Sequence, residues 1–99
     1  MKLITKPIAK KLAAASLEST EPICKLFAPW GWGPEWLLTC EKKGFLYGYA
    51  FLTGYSHLGM HMGEWGCLGT VEALEVLRGP FGFKVERDLH WTPSKKAAL

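Results

Sequence analysis

The sequence predicts an α+β domain: an antiparallel sheet of four to five strands with an N-terminal helix and a short second helix. Three observations carry that expectation. Residues 45–53 and 83–91 alternate with the period of two that marks strands. Thr5 and Thr70 each stand just before a short apolar stripe at helical spacing. Glycine and proline cut the chain between these runs, at 29–34, at Gly54 and at 79–82. Ninety-nine residues make one domain, with residues 1–4 as an extended arm and 93–99 as a frayed basic tail.

Thr5 is the expected cap of the first helix, and Pro7 suits its first turn, where a missing N–H costs nothing. Ile8, Leu12 and Ala15 form a narrow apolar stripe, with Lys6, Lys10 and Lys11 off it. Ser19-Thr20-Glu21-Pro22 breaks the chain, and Ile23 to Ala28 reads as a short first strand. Pro29 to Trp36 holds two prolines, two glycines and three tryptophans, so it is a rigid loop. Trp36 to Glu41 is a second strand, and Glu41-Lys42-Lys43-Gly44 a hairpin turn with glycine at its end. In the third strand Phe45, Tyr47, Tyr49 and Phe51 share one face; Leu46, Gly48, Ala50 and Leu52 share the other. Two apolar faces predict a central strand, and small residues at 48 and 50 predict a close neighbour, the N-terminal helix. Gly54 to His57 turns the chain. Leu58 to Leu68, with glycines at 59, 63 and 66, reads as an irregular or bulged strand. Thr70 caps the second helix, with Val71, Leu74 and Leu77 inward, Arg78 at its end and Gly79 stopping it. The last strand follows the Gly79-Pro80-Phe81-Gly82 turn. Phe83, Val85, Leu89 and Trp91 fall on one face, with Arg87 a charge among them.

Apolar residues make up 48% of the chain and charged ones 21%, the balance of a folded protein rather than a disordered one. The ends are basic, through Lys2, Lys6, Lys10, Lys11, Lys95 and Lys96. Residues 12–93 carry six basic side chains against nine acidic ones, which fits neither a polybasic nucleic-acid binder nor an acidic mimic of one. Three cysteines without a C-x-x-C spacing, no leader-like apolar run and no membrane-length apolar run predict a cytoplasmic protein with reduced thiols and no membrane partner.

Candidate chemistries are weak. His57 and His61, with Cys67 and His90, are the available metal ligands, but Gly59 and Gly63 disfavour the helix that would pair the first two. Cys24 and Cys40 sit in apolar strand patterns; Cys67 lies loosely before a helix start. Glu86, Asp88 and His90 follow one strand face, the carboxylates about 7 Å apart, and a solvated face is the simpler reading. Arg87 is expected to form a structural ion pair with Glu64, Glu72 or Glu75. No catalytic residue, metal or cofactor is expected.

Gly79-Pro80-Phe81-Gly82 followed by Glu86-Arg87-Asp88-Leu89-His90-Trp91-Thr92-Pro93 resembles the C-terminal signature of a bacterial family, domain of unknown function 2958. Met1 to Lys6 resembles the family's start, and Phe27-Ala28-Pro29-Trp30 leads into a Trp36-containing strand as it does there. The helix entry at Cys67 to Leu74 matches more loosely. The family has no assigned activity. The resemblance implies a setting on plasmids, phages and integrating elements, where small proteins block host defence machinery.

The resulting expectation is a small non-enzymatic protein-binding module, an inhibitor of the anti-CRISPR or anti-restriction type, whose partner is a bacterial host protein complex such as a CRISPR effector. Contact is expected through Trp30, Trp32 and Trp36, with Tyr55, His57, Met60 and Met62 as a second, adaptable patch. The runner-up is a single-stranded nucleic-acid accessory protein, and the third reading a small metal- or thiol-dependent hydrolase. A monomer and a homodimer are both compatible with the sequence.

Overall fold

A computed structural model of the chain describes residues 2–29, 34–52 and 63–92. Helix α1 spans Lys6–Ala14, and the Ile8 N–H donates to the Thr5 Oγ1 at 3.5 Å, the expected cap. Leu12 is fully buried, and Ile8 packs at the rim of the core. The five strands are β1 (Cys24–Phe27), β2 (Pro34–Lys42), β3 (Phe45–Leu52), β4 (Gly63–Thr70) and β5 (Glu86–Arg87). They form one sheet in the order β4-β3-β2-β1-β5, antiparallel throughout. Helix α2 spans Val71–Val76, with the Ala73 N–H donating to Thr70 Oγ1 at 3.1 Å. The expected α+β class is the one observed.

The central strand is β2, not β3. Residues 35–40 are all buried, on both faces of the strand, whereas Phe45 of β3 is 45% exposed. Two apolar faces made β3 look central, but the ladder places it second from the edge. The close neighbour of Gly48 is likewise a strand and not the helix. A Cβ there would collide with the Leu37 carbonyl of β2, one residue before a register shift between Leu38 and Cys40. The β2–β3 turn is Lys43-Gly44, both at positive φ (54° and 85°), as a tight two-residue hairpin requires.

Strand β4 is bulged as expected. Leu46 pairs with Gly69 and Tyr47 with Cys67, which leaves Leu68 as the extra residue. Leu68 turns into the core edge. Residues 58–62 of the expected irregular strand, the turn expected at 54–57 and the tail from 93 lie outside the described residues.

The largest correction concerns residues 83–91. They do not make a long strand. A 3₁₀ turn at Pro80–Gly82 and a single bridge between Arg78 and Lys84 precede β5, which is two residues long. Of the apolar series only Val85 is buried; Phe83 is 47% and Leu89 63% exposed. The Asp88 N–H makes one more bond to the Lys25 carbonyl. The Asp88 carboxylate then accepts from the His90 N–H at 2.9 Å, a local turn that competes with continued pairing. Leu77, expected to face inward on α2, is 39% exposed, because the helix ends at Val76. Arg78 caps that end, its Nη1 donating to the carbonyls of Glu75 (2.7 Å) and Leu77 (3.0 Å).

Candidate functional site: the aromatic face of the sheet

Alternation along the strands sorts the side chains onto two faces. Leu26, Trp36, Leu38 and Leu46 join Leu12 of α1, Leu74 of α2 and Val85 in the core. The opposite face carries Lys25 and Phe27 of β1, Glu35 and Leu37 of β2, Tyr47, Tyr49 and Phe51 of β3, and Trp65 and Cys67 of β4.

Tyr49 is the centre of this face. Its ring lies 5.7 Å from Phe51 and 5.2 Å from Trp65, centroid to centroid, both pairs tilted. Such tilted pairs are favourable beyond the area they bury. Register places Trp65 directly across from Tyr49. Gly63, two residues before Trp65, lies under the ring: a Cβ there would come within 2.5 Å of the Tyr49 phenol. The missing side chain is what lets Tyr49 lie across β4. Trp65 itself is 50% exposed.

Toward β1 the face changes character. Lys25 and Glu35 form an ion pair across β1 and β2, with Glu35 buried. Phe27 and Phe51 flank Glu35 in register on its two sides. Lys25 is the cation in register among these aromatics, and Glu35 holds it. At the other end, Thr39 Oγ1 donates to the Tyr47 carbonyl at 3.2 Å, which satisfies a buried hydroxyl at the β2 register shift. Tyr47, Trp65 and Thr39 border an open groove of about 310 Å³, whose other wall is the Leu17–Thr20 segment. The arrangement places one half-exposed ring, Trp65, beside the partly buried rings of Tyr47, Tyr49 and Phe51 on a hydrogen-bonded sheet.

The expected contact residues distribute unevenly. Trp36 is 8% exposed and sits in the core between Leu26 and Ala50, so it is a packing residue and not a contact. Trp30, Trp32, Tyr55, His57, Met60 and Met62 lie outside the described residues. The chain positions that flank them nevertheless converge. Pro34 pairs with Leu52, Phe51 with Gly63, and the Ala28 N–H donates to the Pro34 carbonyl, so these flanking positions lie at one end of the sheet.

Arg87 does not form the expected ion pair with Glu64, Glu72 or Glu75. Its Nη1 donates to the carbonyls of Leu3 (2.6 Å) and Lys2 (3.1 Å), which pins the N-terminal arm to β5 and buries Leu3. The acid row Glu86, Asp88, His90 is not a strand face, since Asp88 closes its own turn. Burial pushes the Cys24 thiol up to about 12, against a smaller opposing pull from the Arg87 guanidinium, so it stays protonated near neutrality. Cys40 is buried, its thiol 3.5 Å from the Ala15 carbonyl, and Cys67 is exposed. Among the described residues no three His, Cys, Asp or Glu side chains converge as metal ligands would.

The residues at the centre of this face were missed as a site. The signal was present in part: Phe45, Tyr47, Tyr49 and Phe51 alternate plainly. Trp65 was hidden in a glycine-broken stretch whose pairing partner the sequence does not name.

No curated protein and no solved structure matches the chain significantly. A family model described as Protein of unknown function (DUF2958) matches residues 3–98, nearly the whole chain, and the chain belongs to that family.

Proposed function

We propose that this chain is a non-enzymatic protein-binding module whose docking surface is the aromatic sheet face centred on Tyr49 and Trp65. The observation that carries the reading is the half-exposed Trp65 held against Tyr49 on the face away from the helices. Tryptophan and tyrosine on a rigid support lose little entropy on binding and dominate interface energies. A protein partner fits better than single-stranded nucleic acid. Base stacking would use the same rings, but a strand binder also needs free cations beside them, and Lys25 is committed to Glu35. The finer form of the proposal is inhibition of a bacterial host defence complex, of the anti-CRISPR or anti-restriction type. It comes from the genetic setting that the family resemblance implies, not from the geometry.

Capture from bacterial lysate, split into nuclease-treated and untreated halves, tests the reading. A stoichiometric protein that survives nuclease is expected. A partner that vanishes with nuclease would transfer the aromatic face to nucleic-acid binding.

A further inference from the structure

Phe81 stands at the tip of the Gly79–Gly82 turn and is 98% exposed. Its backbone lies at φ 59°, ψ 20°, the left-handed region. Turns that need this conformation use glycine or asparagine there; for a bulky side chain it costs energy. Nothing the side chain touches in the chain offsets that cost, because the ring is in water. The backbone beneath it is nonetheless held firmly. The Gly79 N–H donates to the Phe83 carbonyl (2.9 Å), the Gly82 N–H to Gly79 (3.1 Å) and the Phe83 N–H to Pro80 (3.3 Å), and Arg78 bridges to Lys84. Apolar surface continues along the flanks, where Val76 is 71% and Phe83 47% exposed.

A phenyl ring projecting from a strained, hydrogen-bonded backbone is the shape of an anchor that enters a concavity, with the ordering cost of the backbone already met in the free protein. Charge says more about that concavity. Between Leu77 and Val85 the charged residues are Arg78 and Lys84, bridged to each other at the base of the turn, with no acid. The adjoining groove, about 610 Å³, adds Lys2 and Arg87 against Glu75 and Glu86, so the neighbourhood stays net positive.

We propose that Phe81 is a plug for a protein partner that presents an apolar socket with a carboxylate rim. The contact lies at the β5 edge of the sheet, across from the β4 edge that holds Trp65. It rests on the protein-binding reading above but uses a different surface.

Phe81→Asn is the decisive variant, because asparagine accepts the left-handed conformation. Its free form is expected to melt a few degrees higher than wild type, while affinity for the captured and purified partner falls at least about tenfold. Lower melting would show that the ring packs within its own chain and would overturn the proposal. Lys84→Glu is expected to weaken binding and reverse its salt dependence; unchanged affinity would remove the acidic rim. A photo-reactive phenylalanine analogue at position 81 should attach within an apolar pocket bordered by Asp or Glu on the identified partner, and attachment to a flat or basic surface would contradict the plug. The two readings fail separately. Full affinity in Phe81→Asn with loss in Trp65→Ser sinks the plug and leaves the sheet face. The reverse pattern leaves the plug and sinks the sheet face. No nuclease-resistant partner for wild type sinks both.

Discussion

Arg87 shows how one residue can be placed correctly and partnered wrongly. A guanidinium in an apolar series must be satisfied, and carboxylates were the expected partners. The carbonyls of Lys2 and Leu3 take that role, because the N-terminal arm passes within reach and its carbonyls need donors. Charge-assisted bonds of this kind contribute about 1.5–3 kcal/mol together with the packing they hold. Arg87→Met is therefore expected to lower the melting temperature by roughly 5–15 °C, with Leu3 released from the core, and Arg87→Lys to restore only part of it. Thermal unfolding of the three proteins checks this; a Met variant as stable as wild type would show that the arm contributes nothing. Cys24 makes a pH prediction. Its thiol is raised from 9.0 to about 12 in the folded chain. The unfolded thiol thus ionises first as pH rises. Above about pH 9 the unfolded state binds fewer protons, so stability is complete below that pH and falls by at most about 1.4 kcal/mol per pH unit toward 12. Urea unfolding of wild type and Cys24→Ala across this window should show a steeper alkaline loss in wild type.

At the scale of elements, caps and turns were the most legible features. Thr5, Thr70 and Lys43-Gly44 act locally, through bonds within three residues or through backbone conformation, so their sequence signatures transfer directly. Strand length was less legible, because it depends on the partner. Residues 83–91 alternate well, yet β1 has only four residues and β5 pairs with two of them. Alternation describes a strand that would fit, and Asp88 supplies a turn that fits better. Gly48 belongs to the same class. The sequence marked a close approach there, but not which element makes it. Since the obstacle is the Leu37 carbonyl, a backbone atom in the central strand, it cannot swing aside. Gly48→Ala is expected to cost about 3 kcal/mol, the upper end of the usual range for overpacking, and to disturb β2–β3 pairing. Amide exchange across Leu37 to Thr39 checks this, and a fully protected, equally stable variant would contradict the register.

For the whole molecule, the sheet divides a face packed against both helices from an aromatic face that is buried at β2 and exposed at Trp65 and Cys67 of β4. Which face receives the helices could not be read from β3, since both of its faces are apolar. Trp36, which a tryptophan-rich loop offered as a contact, lies in the core. Trp65, from an unpromising glycine-rich run, lies on the open side. No helix among the described residues is long and apolar enough to cross a membrane. The central claim is that the open aromatic face docks a protein. Its most direct test is the affinity of the nuclease-resistant captured partner for wild type and Trp65→Ser, with melting curves run alongside. Trp65 is half exposed at an edge strand and pairs with Tyr49, so the substitution is expected to lower the melting temperature by roughly 5–10 °C with the fold retained, while weakening binding at least about tenfold, about 1.4 kcal/mol. Equal affinity in a variant that folds as wild type does would show that the partner docks elsewhere.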